Sequence, residues 1–403
     1  GQKKYICLDS VYLSFPLRFS HIAKTVANTL ELSGKFRTGE IKHTYMGGYS
    51  FVALNRTSYS GYNLGDDVQG PGLYSHVSVY DPHSMGYMTS KFSKATVTHH
   101  YSNSLYLQDM VEFNEQWKVL AALRYDFFRY MSASATTPTG RREYEEHSSF
   151  NMIKNKALTY RFGAVYLPHP NTSIYASFAS FFKPIRTFYQ DNVIYVGGDG
   201  NRFEPARNEE VFKPEKGYQA EGLKYQLNNI LSANASLFYI RKMNSTATLT
   251  NNYQEEVNGE TTTMSVIGQV GVQDSKGFDF DVTLSPVSTL ALTIGYGLND
   301  SKIREMKEIK DPELIEAIYG NNPDETKQQL NSQEGNWQSN VPNQTFYAYG
   351  SYTIPRGVLK NLEFHLSSSY TGKVYRNTSN NSWFDPYWVT DFGMSYLLNN
   401  NIH

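Results

Sequence analysis

Residues 276–299 read KGFDFDVTLSPVSTLALTIGYGLN, and the interpretation of the whole chain starts from them. Before the Ser-Pro-Val-Ser turn, large apolar side chains alternate with Asp and Thr, and after it they alternate with small residues and Thr. A period of two is typical of paired strands with one apolar face. Each arm has about ten residues, the length that a tilted strand needs to cross a bilayer.

The same unit recurs along the chain. Pairs of alternating arms joined by a short turn occupy residues 24–54, 104–130, 158–182, 217–242 and 345–370, and a further strand occupies 388–398. Long polar segments, predicted to be extracellular loops, lie at about 55–94, 131–156, 183–214, 243–271, 300–343 and 371–387. Strict alternation of short turns and long loops is the layout of an outer-membrane barrel, whereas a soluble sandwich has mixed loop lengths. The sequence therefore predicts an all-β fold, a transmembrane antiparallel up-and-down β-barrel.

The composition agrees with this class of protein. The 403 residues include 32 Tyr and 23 Phe, which favour strands and interfacial girdles. The mean hydropathy is -0.51, and no run of about eighteen apolar residues occurs, which excludes a helical membrane protein. The formal net charge of -1 gives no broad attraction to nucleic acid, so no such partner is expected.

Two local features depart from the hairpin pattern. The stretch PELIEAIYG (312–320), inside the longest predicted loop, indicates a short helix. Asp109 falls on an apparently apolar strand face, which indicates either a position at the headgroup level or a bulge.

Four stretches together resemble a known family. They are SLYLQDMVEFNEQWKVLAALRYDFF (104–128), LTYRFGAVYLPHPNTSIYASFASFFKP (158–184), FKPEKGYQAEGLKYQLNNILSANASLFYIRKMN (212–244) and DSKGFDFDVTLSP (274–286). Their order and spacing resemble the TonB-dependent outer-membrane receptors, in particular the ferric-siderophore (ferrichrome-like) branch. SVYDPHSMGYM (78–88) resembles a loop segment of the same family, from which His83 and Met85 depart, and Ala220 stands where a Glu is usual. The resemblance extends from about residue 24 to 398.

The resemblance implies a 22-stranded barrel with a plugged lumen. Only about 13 to 14 strands are recognisable, so residues 1–403 are expected to form a partial barrel domain without the plug, the TonB-box and the last strands. The resemblance also implies a receptor in the outer membrane of a Gram-negative bacterium, surrounded by the lipid bilayer. It would bind a ferric siderophore on its extracellular side and import it with energy from the TonB complex, acting through the plug. No cofactor is expected, because iron arrives as a chelate.

Aromatic and Arg side chains near the extracellular strand ends suit a ferric chelate, because they offer flat apolar contact and donors for oxygen atoms. For any single residue, packing in a girdle or loop is the commoner explanation. The predicted ligand-binding residues are Tyr130, Phe181, Arg186, Tyr189, Tyr195, Trp337 and Trp383.

Charged residues on the other strand face are predicted to face the lumen or the plug. They are Lys118, Arg124, Asp126, Arg161, Asp279 and Asp281. No catalytic motif accompanies the Asp279 and Asp281 pair, and the adjacent His99 and His100 face opposite sides of a strand. The protein is therefore not expected to be an enzyme, and neither a catalytic site nor a metal site is predicted.

Two other functions remain compatible with the same residues. A TonB-dependent glycan or peptide importer would share this architecture. A soluble or surface-attached β-rich adhesin would instead bury the apolar strand faces under a second sheet.

Overall fold

The computed structural model describes residues 10–12, 17–64, 76–81, 89–136, 151–184, 192–205, 212–221, 224–227, 230–257, 259–306, 309–319, 334–376, 380 and 382–397. The strands are β1 (Ser10–Tyr12), β2 (Leu17–Thr38), β3 (Ile41–Leu64), β4 (His76–Ser78), β5 (Thr89–Glu112), β6 (Trp117–Thr136), β7 (Asn151–His169), β8 (Thr172–Lys183), β9 (Val193–Val196), β10 (Arg202–Phe203), β11 (Glu215–Glu221), β12 (Lys224–Leu227), β13 (Leu231–Val257), β14 (Glu260–Val287), β15 (Leu290–Met306), β16 (Gln344–Thr353), β17 (Leu362–Thr371), β18 (Val374–Tyr375), β19 (Trp383–Phe384) and β20 (Tyr387–Tyr396). The helix α1 spans Pro312–Tyr319. Among the described residues, no helix has the length and apolar character needed to cross a membrane.

The main sheet follows the order of the chain. Its path is β2-β3-β5-β6-β7-β8-β11-β13-β14-β15-β16-β17-β20, and the pairings from β7 onward are antiparallel. This order confirms the predicted up-and-down antiparallel arrangement. β12 continues β11, because both pair with β8 and β13. β1 does not join this path and pairs with β4 in a separate two-stranded sheet.

The chain divides into two compact units. The first comprises residues 1–29, 50–103 and 127–154, and the second comprises 30–49, 104–126 and 155–403. In the first unit, the His100 ring packs edge-on against Phe128 at 4.4 Å, and the Arg129 guanidinium lies 4.7 Å from the centre of the Tyr101 ring. Among the described residues of the first unit, the buried ones are Ala53, Ala95, Phe128, Ala133 and Ile153.

The hairpin formed by β14 and β15 in the second unit has the predicted alternation. Phe278 lies opposite Leu298, and Asp279 lies opposite Gly297. A Cβ atom at Gly297 would lie 2.8 Å from Asp279 Oδ1, so glycine leaves the room that this carboxylate occupies. We call the side with Phe278 and Leu298 the apolar face of the sheet and the side with Asp279 and Asp281 the polar face.

The apolar face of the second unit is exposed to its surroundings. Leu237, which lies opposite Phe278, is 72% exposed, and Phe392 on β20 is 67% exposed. Soluble proteins rarely expose contiguous apolar surface on this scale, whereas a lipid-facing strand surface requires it. The exposed face therefore contradicts an adhesin whose apolar faces are covered by a second sheet.

Replacing Leu237 by Arg is expected to destabilise the folded sheet by about 2–4 kcal/mol, the cost of a cation near the middle of the lipid-facing surface. The neighbouring variant Ser236→Arg is the matched control, because Ser236 lies opposite Asp279 on the polar face. Urea unfolding in detergent micelles, read by heat-modifiable electrophoretic migration, measures both variants. Equal destabilisation by the two variants would contradict the assignment of faces.

Asp109 pairs with a histidine through one of its two carboxylate oxygens. Its Oδ2 atom lies 2.7 Å from His43 Nδ1, and the His43 ring stacks on Phe36 with centroids 4.4 Å apart. Asp109 lies near the end of β5 at Glu112, beside a short turn. This placement favours the headgroup level as the explanation of the broken alternation.

Several predicted loops are largely strand. The predicted loop 243–271 is the far end of one long hairpin, since β13 continues to Val257 and β14 begins at Glu260. β3 continues to Leu64, and β6 continues to Thr136. These segments are rich in Thr, Asn and Gly, so their composition indicates loops, but pairing with a neighbouring strand satisfies their backbone groups.

Candidate ligand-binding site

A hydrophobic cluster organises the chain at the loop end of β13 and β14. The strand β9 adds to β14 in parallel, with Ile194 opposite Val266. We call the cluster the loop core, and its buried members are Ile194, Val196, Tyr253, Met264, Val266, Ile309 and Leu314. Burial raises the pKa of the Tyr253 hydroxyl.

The helix α1 is fixed against the loop core by its own sequence. Asp311 Oδ1 accepts hydrogen bonds from the backbone N–H groups of Glu313 at 3.0 Å and Leu314 at 3.3 Å, as an N-cap does. Pro312 occupies the first helical position, where a missing N–H has no cost. The helix predicted at 312–320 is thus confirmed, with its last residue at Tyr319.

Replacing Leu314 by Ala is expected to destabilise the loop core by about 2–5 kcal/mol, because this side chain is 0% exposed. Limited proteolysis should then cut near α1 at lower protease concentrations while the membrane-embedded strands stay intact. Glu316→Ala, on an exposed position of the same helix, is the control. Identical cleavage of the two variants would show that the helix is not held by this contact.

Tyr195, one of the predicted ligand-binding residues, is 1% exposed. Its ring packs against Phe212 at 5.8 Å and Phe203 at 6.1 Å, in a second buried cluster with Val193. This burial disfavours direct ligand contact, and the role of Tyr195 in binding stays a prediction. The apolar surroundings of the ring make it a packing residue.

Trp383 lies in a group of cationic and aromatic side chains at the loop ends of β17 and β20. The Lys373 Nζ atom lies 3.8 Å from the centre of the Trp383 ring and 4.5 Å from that of Tyr375. Trp383 is 47% exposed, and its Nε1–H donates to Asp385 Oδ1 at 3.2 Å. We call Lys373, Tyr375 and Trp383 the rim cluster.

The rim cluster belongs to the polar face. Tyr375 pairs with Trp383, and this register continues the pairing of Thr371 with Tyr387. Strand alternation therefore places the cluster on the side of Asp391, which pairs with Ser367. Among the described carboxylates, none lies within ion-pair distance of Lys373, so its charge is available to an anion.

Two tyrosines extend the same surface along the polar face. Tyr347 lies opposite Ser369, and Tyr349 lies opposite Ser367, so both share the side of the rim cluster. Both rings are exposed. A Cβ atom at Gly295 would lie 2.2 Å from the Tyr347 ring, so this glycine provides the space that the ring fills.

Trp337 is ordered by contacts of its own. Its backbone N–H donates to Asn380 Oδ1 at 2.7 Å, and the Lys302 Nζ atom lies 4.8 Å from the centre of its ring. Lys302 alternates with Ser301 and shares the face of Leu298, the apolar face. Trp337 pairs with Lys302 and so belongs to the apolar face, whereas Trp383 belongs to the polar face. Both were predicted as ligand-binding residues.

The other predicted ligand-binding residues are scattered. Tyr130 is half-buried in β6 within the first unit. Phe181 is half-buried on the polar face, where its ring covers Gly217. Arg186 and Tyr189 lie outside the described residues.

Four of the six predicted lumen-facing charges form polar contacts with their neighbours. Arg124 Nε lies 3.0 Å from Asp126 Oδ1, and Arg124 also donates to Ser104 Oγ at 2.7 Å. Lys118 pairs with Glu112 at 3.5 Å, and Asp281 accepts a hydrogen bond from Asn234 at 2.7 Å. Arg161 and Asp279 are exposed. Contact of any of these residues with a plug stays a prediction.

Asp274 is a buried carboxylate on the apolar face. It lies outside the roughly ten residues of β14 that suffice to cross a bilayer. Asp274 is 3% exposed and accepts hydrogen bonds from Arg241 Nε at 2.8 Å and Nη2 at 2.7 Å. The Tyr239 hydroxyl donates at 2.9 Å, and Arg304 lies 3.7 Å away. The hydrogen bonds from Arg241 lower the pKa of Asp274, although burial opposes them.

Within the described part of the chain, no three His, Cys, Asp or Glu side chains converge to hold a metal ion. His99 bonds to Asn55 at 2.6 Å, whereas the His100 ring contacts Phe128. The two neighbouring histidines therefore have different partners.

Comparison with known proteins places residues 9–402 in the family described as TonB dependent receptor-like, beta-barrel. A probable TonB-dependent siderophore receptor, PiuA, of Acinetobacter baumannii is 25% identical over 401 residues, covering 94% of this chain and 47% of the relative. The ferrichrome outer membrane transporter/phage receptor of Escherichia coli (strain K12) is 24% identical over 379 residues, covering 91% of this chain and 41% of the relative.

A solved structure has the same fold. The crystal structure of the siderophore receptor PiuA from Acinetobacter baumannii superposes with a TM-score of 0.67 at 20% identity, covering 95% of this chain and 51% of that one. The chain thus spans about half the length of the curated relatives that it matches.

Proposed function

The chain belongs to the TonB-dependent receptor β-barrel family, and from that premise we propose that it binds a ferric siderophore and takes part in its import. Members of this family lie in the outer membrane of Gram-negative bacteria. The apolar face then contacts lipid and the polar face lines the lumen. Energy for transport comes from TonB, and iron is cargo held by its chelator, with no covalent chemistry by the protein.

The observation that carries this proposal is the rim cluster. Lys373, Tyr375 and Trp383 combine one cation with two aromatic rings on the lumen side of the loop ends. A ferric siderophore presents flat organic groups around oxygen-coordinated iron, so stacking rings and a donor recognise its exterior. The exposed Tyr347 and Tyr349 continue the aromatic surface below the cluster.

The relatives support the same ligand class. One relative is a probable siderophore receptor, and another is a ferrichrome transporter. A glycan importer would instead need many amide and carboxylate groups around its stacking rings. Among the described residues, the rim cluster has one neighbouring carboxylate, Asp385, and that group accepts the Trp383 N–H.

Fluorescence titration of the purified protein with a panel of ferric siderophores and oligosaccharides tests the proposal. Quenching of the exposed tryptophans by at least one ferric siderophore, at micromolar concentration or below, is the expected result. Binding of oligosaccharides without any siderophore response would support the glycan importer and contradict the proposal.

A further inference from the structure

A cavity of about 500 Å³ lies at the loop end of the second unit, between β7, β8 and β11. Its wall includes Lys156, Lys213 and Lys216, together with the rings of Tyr160 and Tyr218. No carboxylate occurs among the described residues that line it. A site of this size accommodates a small ligand or the head of a larger one. The lining suits an anionic group attached to an apolar body.

The cavity exists because two neighbouring strands separate. The antiparallel register of β7 and β8 starts at His169 and Thr172 and ends at Arg161 and Ala179. At the next position the backbone pairing stops, and the Tyr160 N–H donates instead to the Ser180 hydroxyl at 2.9 Å. The opening is therefore built into the sheet by side-chain hydrogen bonds.

Ring contacts place the tyrosine side chains of the cavity wall on the apolar face. The Tyr218 ring lies 5.6 Å from Phe178, which lies 6.0 Å from Tyr160, and Tyr160 lies 5.9 Å from Phe162. Phe162 is exposed with the other apolar side chains. Lys216 is two residues from Tyr218 on the same strand and so shares its face. In the outer membrane this side meets lipid.

Two lysines of the cavity wall, Lys213 and Lys216, have no ion-pair partner among the described carboxylates. Glu215, the nearest acidic residue in sequence, pairs with Lys183 at 3.3 Å and Lys242 at 3.2 Å, on the polar face. Among the described carboxylates, none is within ion-pair distance of Lys213 or Lys216. The backbone of Lys213 is anchored by Gln269, whose Nε2 donates to its carbonyl at 2.6 Å.

Further cations continue from the cavity along the same face. Residues paired across neighbouring strands share a face of the sheet. Tyr218 pairs with Arg241, Arg241 with Asp274, and Asp274 with Lys302, so all four lie on the apolar face. In this belt the cations Lys216, Arg241, Lys276, Lys302 and Arg304 outnumber the carboxylates Asp274 and Asp300. An excess of positive charge above an exposed apolar surface matches a layer of anionic head groups on acyl chains.

We propose that this cavity binds the phosphate-bearing head group of an anionic lipid in the outer leaflet. Lys213 and Lys216 contact the phosphate, and the rings of Tyr160 and Phe178 contact the upper acyl chains. The belt supplies weaker contacts to neighbouring lipids. The proposal rests on the outer-membrane location and is independent of the imported ligand, because the rim cluster lies on the opposite face.

Native mass spectrometry of the purified protein in non-ionic detergent tests the proposal with phosphatidylglycerol as the anionic probe. The double variant Lys213→Gln with Lys216→Gln is expected to bind phosphatidylglycerol about tenfold more weakly than the natural sequence. The matched control, Lys35→Gln with Lys360→Gln, removes two exposed lysines at the short-turn end and should not change binding. Replacement of the cavity lysines by Arg should preserve binding.

Four results would overturn the proposal. They are equal lipid binding by the two double variants, equal binding of zwitterionic phosphatidylcholine, full competition by inorganic phosphate alone, and loss of ferric-siderophore binding in the cavity variant. The third result would indicate a simple ion site, and the fourth would assign the cavity to the imported ligand. Heat-modifiable migration of each variant confirms that it is folded before binding is compared.

Discussion

Removing the rim cluster by Lys373→Gln with Trp383→Ala is expected to weaken ferric-siderophore binding at least about tenfold, or about 1.4 kcal/mol. Lys373→Gln removes the cation, and Trp383→Ala removes a large exposed ring, so both kinds of contact with the siderophore are lost. Because both side chains are partly exposed, the folded sheet should keep its stability. Retention of radioactive iron on the immobilised protein measures the affinity, because this readout does not depend on the fluorescence of Trp383.

The control for this variant is Lys360→Gln with Trp388→Ala. It removes the same two residue types, but Lys360 lies in a short turn and Trp388 packs on Tyr370 at 5.0 Å on the apolar face. Its affinity should equal that of the natural sequence. If the rim variant binds the siderophore as tightly as the natural sequence does, the ligand binds elsewhere.

Replacing Asp274 by Asn is expected to destabilise the folded protein by about 3 kcal/mol at neutral pH. The change leaves Arg241 and Arg304 without the carboxylate that they share, and removing one partner of a buried ion pair is costly. Urea unfolding in micelles measures the loss. Asp391→Asn, an exposed position with one 3.5 Å hydrogen bond to Ser367, is the control and should change little.

The difference in unfolding free energy between the natural sequence and Asp274→Asn should depend on pH. Arg241 lowers the pKa of folded Asp274 below its unfolded value of about 3.9. The stabilisation is therefore present above that unfolded pKa and is lost as the pH falls through the folded pKa. The difference between the natural sequence and Asp274→Asn should be full at pH 7 and should shrink below about pH 4. A constant difference down to pH 3 would contradict the ion pair as its source.

The hairpins were predictable because their signal is local. Each membrane arm has a period of two, and a one-residue slip would move every apolar side chain to the wrong face. The helix α1 was also predictable, since Asp311 and Pro312 mark its start. Asp279 and Asp281 could be placed on one face from their spacing alone.

The loop core was not predictable because its contacts are remote in sequence. The segment 243–271 has a loop-like composition, and it is held as strand by β9 and by burial of Tyr253 and Met264 against α1. Tyr195 was predicted as a ligand contact from its loop position alone. Nothing local revealed that Phe203 and Phe212 cover its ring.

The rim cluster was only partly predicted. Trp383 was included because exposed aromatic residues in long loops suit ligand binding. Lys373 and Tyr375 were missed, although continuing the period of two from Ser367 and Ser369 past the end of β17 reaches both. Their proximity to Trp383 depends on the pairing of β18 with β19, which sequence spacing does not reveal.

Uptake of radioactive iron, supplied as a ferric siderophore to cells that depend on this protein, tests the central claim most directly. Cells with TonB are expected to accumulate iron, cells without TonB should not, and the rim variant should accumulate much less at limiting siderophore. The Lys360→Gln with Trp388→Ala control should match the natural sequence. Accumulation that is unchanged without TonB, or unchanged in the rim variant, would contradict the account.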